Sequence, residues 1–421
     1  MFSLIDTLKN ESGQVNIELI DRVCFLIDVK KQLFESYYDS NFKSGNGIPL
    51  STDQLEFLCL YLRDNYPSAG CKVLNTLLKI ESGILKNMPV NFVFPSEVCE
   101  FLETQLSELQ LPSIKNNLNL VEIGDWVNLT KRKDKLLDDV PDFKQIDILL
   151  VKWNETLGSA YSYSFIKNKL RPLSVITAKP KQGWKGKVLN ILPVFTRKLL
   201  YKILRKSINE KPLNSCIDVF DQSYQLHEIF NSKIVFKNNK VVRAININDP
   251  KIINAMSNAF GSALLFSGGG IVRQKTFDSI SKKFIHVHPG LLPSVRGADC
   301  FFWSVLLDGF PSCTAMYQNA GIDTGEIIHE ERFKLPKFNQ GYIEKLNIQS
   351  PENLYEIIYR SILDYYDPVM RAMTFEGVLK KIKETQIVDD LEVRKQVQNE
   401  GRNYHFMHER LRNRLIELLI K

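Results

Sequence analysis

The 421-residue sequence has no long apolar run and no cysteine pattern that would suggest a metal site or a disulfide framework. No stretch reaches the 18 apolar residues expected of a membrane-spanning helix. The seven cysteines are scattered, without a CxxC pair or a Cys/His cluster, so cysteine-based zinc binding and disulfides are both unsupported. The first residues, MFSLIDTLKNESG, lack the basic and apolar regions of a secretory signal. We therefore expect a cytoplasmic protein with reduced, mostly buried thiols.

Internal repeats and low-complexity segments are also lacking, and the composition is that of a globular protein. Hydrophobic residues make up 44% and charged residues 24%, and the length suits two or three domains. The net charge of +7 is modest but unevenly distributed, because residues 167–211 contain 13 Lys or Arg and a single acid, Glu210. This local excess predicts an anionic partner. We expect no DNA partner, and a homodimer is possible.

The most basic part of this region, residues 185–206, alternates Lys and Arg with aliphatic residues. Three interpretations remain open: it binds phosphates of a substrate, it lies weakly on an anionic membrane surface, or it is an ordinary amphipathic helix with a solvated basic side. Pro193 interrupts any single helix and weakens the membrane interpretation. Lys179 and Lys181, just before this segment, are predicted to bind substrate.

The chain is predicted to have an α/β core between helical regions. We expect a helical N-terminal domain over residues 1–118, a polar connector over 119–142, a catalytic domain over 143–345 and a helical C-terminal extension over 346–421. Buried strands are predicted at residues 146–151, 174–177, 241–247 and 262–267. A helix begins between the last two, with Asp249 as its cap and Pro250 in its first turn. This alternation favours a mostly parallel, Rossmann-type sheet with helices on both faces.

Residues 284–328 contain the strongest functional pattern, FIHVHPGLLPSVRGADCFFWSVLLDGFPSCTAMYQNAGIDTGEII. A buried strand is predicted to lead through His286 and His288 into a Pro-Gly turn, and a second strand at residues 314–317 to end in a glycine-rich loop. Two adjacent strands ending in such loops would bring His288 close to Asp323. A histidine beside a carboxylate is an acid/base pair with a tuned pKa, which indicates catalysis.

The block HPGLLPSVRGAD, followed by GIDTGEII, resembles the folate-dependent formyltransferases. That family includes the methionyl-tRNA, glycinamide ribonucleotide and nucleotide-sugar N-formyltransferases, and the resemblance covers residues 146–336. The residues that match its motifs in order and spacing are His288, Pro289, Leu291, Leu292, Pro293, Arg296, Gly297, Asp323 and Gly325. The resemblance implies a formyltransferase-like fold and 10-formyltetrahydrofolate as the formyl donor, with no metal.

Two positions depart from the family pattern, and the more serious is His286, which stands where the family has an asparagine, so Asn-x-His becomes His-x-His. Gly290 also replaces the usual serine. Because an imidazole can donate an N–H to a developing oxyanion, His286 could preserve the chemistry. It could also alter the acyl donor, mark a lapsed enzyme, or simply fill a polar gap. The resemblance implies that His288 is the central acid/base group, that Asp323 is its partner and that His286 is a second oxyanion donor.

Further site residues are predicted around these three. The residues expected to contact the folate are Ser267, Gly268, Gly269, Gly270, Leu292, Pro293, Gly321 and Thr324. For the glycines at 268–270, a plain loop with unusual dihedral angles is an equally good interpretation. Arg296 is predicted either to hold its loop through carbonyl groups or to meet an anionic substrate.

The predicted function is formyl transfer to a primary amine, with a nucleotide-linked amino sugar of surface-polysaccharide (lipopolysaccharide) synthesis as the first choice. A tRNA-linked amine is less favoured, because the tRNA enzymes end in a β-rich domain that the pattern here lacks. Two alternatives stay open: hydrolysis of the formyl-folate, and a catalytically drifted folate- or nucleotide-binding adaptor.

Two histidine pairs could be taken for metal ligands. A metal on His286, His288 and Asp323 is ranked low, because Pro289 is expected to end the strand on which the two histidines would share a face. His405 and His408 are spaced for one face of a helix and are predicted to be packing residues.

Overall fold

A computed structural model describes residues 67–81, 96–114, 117–127, 143–180, 215–231, 234, 236–268, 271–385, 388, 391–397 and 401–421. The basic segment of residues 185–206, residues 128–142 of the predicted connector, and the predicted site residues Lys181, Gly269 and Gly270 lie outside this part of the chain.

The chain divides into two compact units whose segments alternate along the sequence. The first unit comprises Met1–Leu118, Ser294–Pro311 and Glu400–Lys421, and the second comprises Asn119–Pro293 and Ser312–Asn399. Our predicted domains followed one another along the chain, and their boundaries stay predictions.

Helices and strands alternate through most of the described residues. The strands are β1 (Lys144–Lys152), β2 (Leu170–Pro180), β3 (Asn239–Ala244), β4 (Ala263–Phe266), β5 (Lys283–His288), β6 (Val295–Gly297), β7 (Ser312–Tyr317), β8 (Glu326–Arg332) and β9 (Arg402–Tyr404). The α-helices are α1 (Pro67–Glu81), α2 (Ser96–Ser107), α3 (Gly124–Val127), α4 (Glu155–Lys167), α5 (Leu226–Phe230), α6 (Pro250–Ser257), α7 (Gln274–Asp278), α8 (Cys300–Asp308), α9 (Gln340–Gln349), α10 (Leu354–Ser361), α11 (Asp367–Thr385) and α12 (Glu409–Ile420). A π-helical segment, Ile362–Tyr366, joins α10 to α11.

The second unit is built on a seven-stranded sheet with the order β3-β2-β1-β4-β5-β7-β8. The first five strands in this order, from β3 to β5, pair in parallel with their neighbours. Strand β7 pairs antiparallel with β5, and β8 pairs antiparallel with β7. The predicted α/β class with a mostly parallel Rossmann-type sheet is confirmed. The strand order reverses between β1 and β4, and in such sheets ligands bind beyond the carboxyl ends of the strands near this point.

The buried strands explain why the sequence predicted them so clearly. Residues 148–151 of β1 are fully buried, since a parallel strand covered on both faces reads as a continuous apolar run. Helix α6 begins as predicted: Asp249 Oδ1 accepts a hydrogen bond from the Lys251 N–H at 3.0 Å, and Pro250 occupies the first turn.

Helix α11 lies against the sheet, although the sequence placed it in a C-terminal extension. Ser164 Oγ of α4 donates to the carbonyl of Ala372 at 2.8 Å, and Lys381 Nζ donates to the carbonyl of Ile328 on β8 at 2.7 Å. Helix α11 therefore belongs to the unit that carries the predicted catalytic residues.

The first unit contains the predicted helices α1 and α2, the helices α8 and α12, and a parallel pair formed by β6 and β9. The helix predicted through His405 and His408 is wrong. Residues 402–404 extend to pair with β6, and the helix begins only at Glu409. His408 is its cap, where Nδ1 accepts from the Arg410 N–H at 3.3 Å.

No helix in the described ranges is both long and apolar enough to span a membrane.

Candidate active site

His286, His288 and Asp323 meet at the carboxyl end of β5. Both histidines lie within the strand and, two residues apart, point to the same face. Asp323 lies in the loop that joins β7 to β8, and its Oδ2 is 3.4 Å from Nδ1 of His288. One polar atom from each of the three side chains lies within 4.8 Å of the others. The expected proximity of His288 and Asp323 is therefore observed, while the role of each residue stays a prediction.

Strand β7 fixes the turn that follows His288. Thr314 is the register partner of His288, and its hydroxyl accepts from the Leu292 N–H at 3.1 Å and donates to the Gly290 carbonyl at 2.8 Å. Thr314 is fully buried, so this bridge lies away from solvent. The Pro-Gly turn is therefore tied directly to the strand beside the histidines.

The loop of Asp323 is held by side chains of its own. Asn319 Oδ1 accepts from the Gly321 N–H at 3.0 Å and from the Thr324 hydroxyl at 2.8 Å. Asp323 has a left-handed backbone (φ 53°), which Asp tolerates better than most residues. A Cβ at Gly325 would lie 1.7 Å from the Tyr317 carbonyl oxygen, so only glycine fits there.

Burial sets the charge of His286. It lowers the pKa of His286 to about 3, and the positive charge of Arg371 adds to the decrease. Nδ1 of His286 is buried and has no hydrogen-bond partner. At neutral pH the ring is therefore uncharged, with one N–H donor and one lone pair. A neutral imidazole of this kind can donate a hydrogen bond to an oxygen on which negative charge develops.

A buried ion pair on α11, which the sequence did not predict, contacts the backbone of β5 at the residue between the two histidines. Arg371 Nε donates to the Val287 carbonyl at 2.7 Å, and Arg371 Nη1 is 3.5 Å from Asp367 Oδ2. Burial raises the pKa of Asp367, although Arg371 and then His288 oppose the rise. The available signal was two opposite charges four residues apart within the otherwise apolar start of the helix, DPVMRAM.

The predicted folate residues have varied surroundings. Ser267 is fully buried, and its hydroxyl accepts from the Trp153 N–H at 2.9 Å, which connects the ends of β4 and β1. A Cβ at Gly268 would lie 2.2 Å from the ring of Phe266, so a larger residue there would have to displace that ring. The side chain of Leu292 is buried against Met316 and Ile327.

The remaining predicted folate residues in the described part of the chain follow the histidines in the sequence. Pro293 follows Leu292 through a cis peptide bond, and Gly321 and Thr324 are exposed in the Asp323 loop. A folate contact with Ser267 or Leu292 would have to use the backbone, because both side chains are inaccessible. Their binding roles stay predictions.

The predicted substrate residues fall in different parts of the molecule. Lys179 is exposed near the carboxyl end of β2, where its register partner on β3 is the equally exposed Arg243. Arg296 is buried on β6, opposite Asn403, in the other compact unit. The contribution of Lys179 and Arg296 to substrate binding stays a prediction.

The two histidines and Asp323 also form a donor set that could hold a divalent cation. Strand β5 ends just before Pro289, as expected, but both histidines still lie within it and share a face, so our argument against a metal was wrong. The charge of Arg371, which influences the pKa of His286, disfavours a second cation there. That the site works without a metal stays a prediction.

No protein-family model matches this chain. Among curated proteins it is similar to the methionyl-tRNA formyltransferase of Syntrophus aciditrophicus, with 30% identity over 98 residues, which is 23% of this chain and 31% of the relative. It is also similar to the methionyl-tRNA formyltransferase of Borrelia turicatae, with 32% identity over 106 residues, 23% of this chain and 34% of the relative. The chain thus spans about a third of the length of the curated relatives that it matches.

Solved structures of formyltransferases are also similar to this chain. A sugar N-formyltransferase from a Shewanella species is 12% identical and covers 66% of this chain and 88% of its own, with a TM-score of 0.33. An N-formyltransferase from Helicobacter canadensis, in complex with folinic acid and dTDP-3-aminofucose, is 14% identical and covers 66% and 81%, with a TM-score of 0.34. These TM-scores are too low to support an inference about substrate. The resemblance to formyltransferases that the sequence motifs predict is confirmed by the proteins to which this chain is similar.

Proposed function

We propose that this chain transfers a formyl group from 10-formyltetrahydrofolate to a primary amine. The observation that carries the proposal is the His288–Asp323 pair, 3.4 Å apart, with the neutral His286 beside it at the carboxyl ends of the strands. One acid/base pair and one uncharged donor are the groups that acyl transfer to an amine requires.

The reaction can be assigned to these side chains step by step. The amine nitrogen attacks the formyl carbon, and the N–H of His286 donates to the oxyanion that forms. The Nε2 atom of His288 accepts the proton of the attacking nitrogen, while Nδ1 of the same ring faces Asp323, which orients it. The bond between the formyl carbon and N10 of the folate breaks, and His288 gives the proton to N10. The N-formylated amine and tetrahydrofolate leave.

A nucleotide-linked amino sugar is the proposed acceptor. Lys179 and Arg243 are exposed register partners on β2 and β3. Neighbouring strands are about 5 Å apart, so two positively charged residues lie side by side on the sheet. They occur at the edge of the sheet where β5 also ends, which suits the diphosphate of a nucleotide sugar.

The test is to incubate the protein with 10-formyltetrahydrofolate and a panel of nucleotide-linked amino sugars, followed by HPLC and mass spectrometry. A formylated sugar nucleotide is expected. No product with any amine of a panel that includes amino acids and nucleotides would contradict the proposal. Folate released without an amine would indicate a hydrolase, and folate binding without turnover would indicate an adaptor.

The acceptor is tested separately by Lys179→Met, with Lys240→Met as its matched control. Both lysines are exposed, but Lys240 lies near the amino end of β3, away from the edge that carries the histidines. The first variant should raise the KM for the nucleotide sugar about tenfold, since it loses one phosphate contact, and the second should not. Equal KM values in both variants would remove Lys179 from the acceptor site.

A further inference from the structure

Residues 391–397 form an additional edge beside β8, the last strand of the sheet. Ile327 and Arg394 exchange two backbone hydrogen bonds, each 2.8 Å long, as in an antiparallel pair. The guanidinium of Arg394 also donates to Glu330 Oε2 at 2.8 Å. The segment is therefore fixed to β8 at its backbone and at a side chain, immediately before it reaches the Asp323 loop.

Gln396 connects this segment to the loop. Its side-chain nitrogen donates one hydrogen bond to the carbonyl of Asp323 at 3.0 Å and one to the carbonyl of Gly325 at 2.6 Å. An amide NH2 has two hydrogens, so both contacts can form at once. They lie on either side of Thr324 and restrain the backbone of Asp323 from outside the loop.

Gln396 restrains the part of the loop in which a small movement would change the distance between Asp323 and His288. Gly321, Ile322 and Thr324 are exposed, so the loop itself buries little surface. The distance of 3.4 Å between Asp323 and His288 is already at the outer limit of a hydrogen bond, and a shift of the loop would lengthen it. We propose that Gln396 is a positioning residue that holds the carboxylate of Asp323 against His288. Its effect on the rate rests on the function proposed above, whereas its effect on the loop does not.

The test compares three variants. Gln396→Met keeps the length of the side chain but removes both donors, Gln396→Lys restores a donor, and Lys395→Met changes the exposed neighbour as a matched control. In Gln396→Met, kcat should fall roughly ten- to a hundredfold with KM within about twofold, because misplacing a reacting group costs rate and not binding. Gln396→Lys should recover part of this loss, and Lys395→Met should resemble the wild type.

Two further measurements do not depend on turnover. Amide hydrogen exchange in residues 321–325 should become about tenfold faster in Gln396→Met, since two hydrogen bonds that close the loop are lost. The ring-nitrogen NMR signals of His288 should shift in the same variant and return toward wild type in Gln396→Lys.

A double mutant asks whether Gln396 acts through Asp323. Once Asp323→Asn has removed the carboxylate, Gln396→Met should cost little more, because the two changes then affect one interaction. Full additivity would overturn the inference, as would unchanged exchange and unchanged His288 signals in Gln396→Met. If the wild type transfers no formyl group, the proposed function fails, while the exchange and NMR results still decide whether Gln396 positions Asp323.

Discussion

The two halves of the candidate catalytic pair are held in opposite ways. His288 lies on the buried strand β5, whose backbone is fixed by Arg371 from one helix and whose following turn is fixed by Thr314. Asp323 lies in a largely exposed loop that Asn319 and Gln396 restrain through polar contacts.

The contacts that hold the strand and those that hold the loop control different properties, stability in the first case and activity in the second. A residue that holds a buried strand also contributes to the core, so its loss should reduce both stability and activity. A side chain that holds an exposed loop has little to do with the core, so its loss should reduce activity alone. The candidate catalytic pair, with one residue on a strand and one in a loop, therefore combines a fixed histidine with an adjustable carboxylate.

We expect the greatest loss of turnover when either residue of the candidate catalytic pair is replaced. His288→Ala and Asp323→Asn should each lower turnover about a hundred- to ten-thousandfold, the usual contribution of general acid/base catalysis. Because the two groups act as a unit, the double variant should be little slower than the slower single one. Steady-state rates with a formyl-folate and the best acceptor would measure this.

The matched control is the exposed pair of His227 and Asp218, whose atoms are 2.9 Å apart. His227→Ala should leave turnover unchanged, since this pair lies in solvent. Near-normal turnover in His288→Ala, with the fold preserved by circular dichroism, would contradict the mechanism.

The next prediction compares the residue that holds the strand with the residue that holds the loop by their effects on the free energy of unfolding. Arg371→Met should lower the free energy of unfolding by about 3–5 kcal/mol, because it leaves the buried carboxylate of Asp367 without its partner. Gln396→Met should change this free energy by less than about 1 kcal/mol. Urea unfolding followed by circular dichroism would measure both.

The control for Arg371 is an exposed ion pair with the same spacing. Arg360 and Glu356 are also four residues apart, 2.7 Å between atoms, on α10. Arg360→Met should cost less than about 1 kcal/mol, because exposed ion pairs contribute little. Equal losses in Arg360→Met and Arg371→Met would mean that the buried pair does not support β5.

The local patterns of the sequence predicted the strand half of the site better than its supports. The apolar run of β1 and the spacing of His286 and His288 are local, so both could be predicted without knowing the fold. Arg371 contacts a carbonyl 84 residues away, and Gln396 contacts one 73 residues away. Contacts at such separations leave no periodic pattern in the sequence.

The same limit explains the wrong helix before Glu409. Residues 402–404 have a sequence compatible with a helix, but their backbone extends to pair with β6, more than a hundred residues earlier in the chain. Tertiary pairing overrode local preference there. Motifs with fixed internal spacing were therefore the dependable guide to the site, and helical periodicity near the end of the chain was not.

A further prediction concerns stability in acid. The pKa of His286 is about 3 in the folded protein and about 6.5 in an unfolded chain, so the unfolded state binds a proton first as the pH falls. His286 therefore favours unfolding increasingly between about pH 6.5 and 3, and its contribution is constant above that window. His286→Asn should lose less stability than the wild type over this range. Urea unfolding at several pH values would measure the difference, and parallel curves for the two proteins would contradict it.

Removal of any bound metal is expected to change turnover least. A cation on His286, His288 and Asp323 would displace the contact between His288 and Asp323 and would experience the charge of Arg371. We therefore expect turnover to be unchanged after dialysis against EDTA. Elemental analysis of the purified protein supplies a second measurement, and His286→Asn supplies a control that lacks one of the three ligands. Loss of turnover with EDTA, restored by zinc or iron in the wild type but not in His286→Asn, would show that the His-x-His pair binds a metal and would replace the donor role assigned to His286.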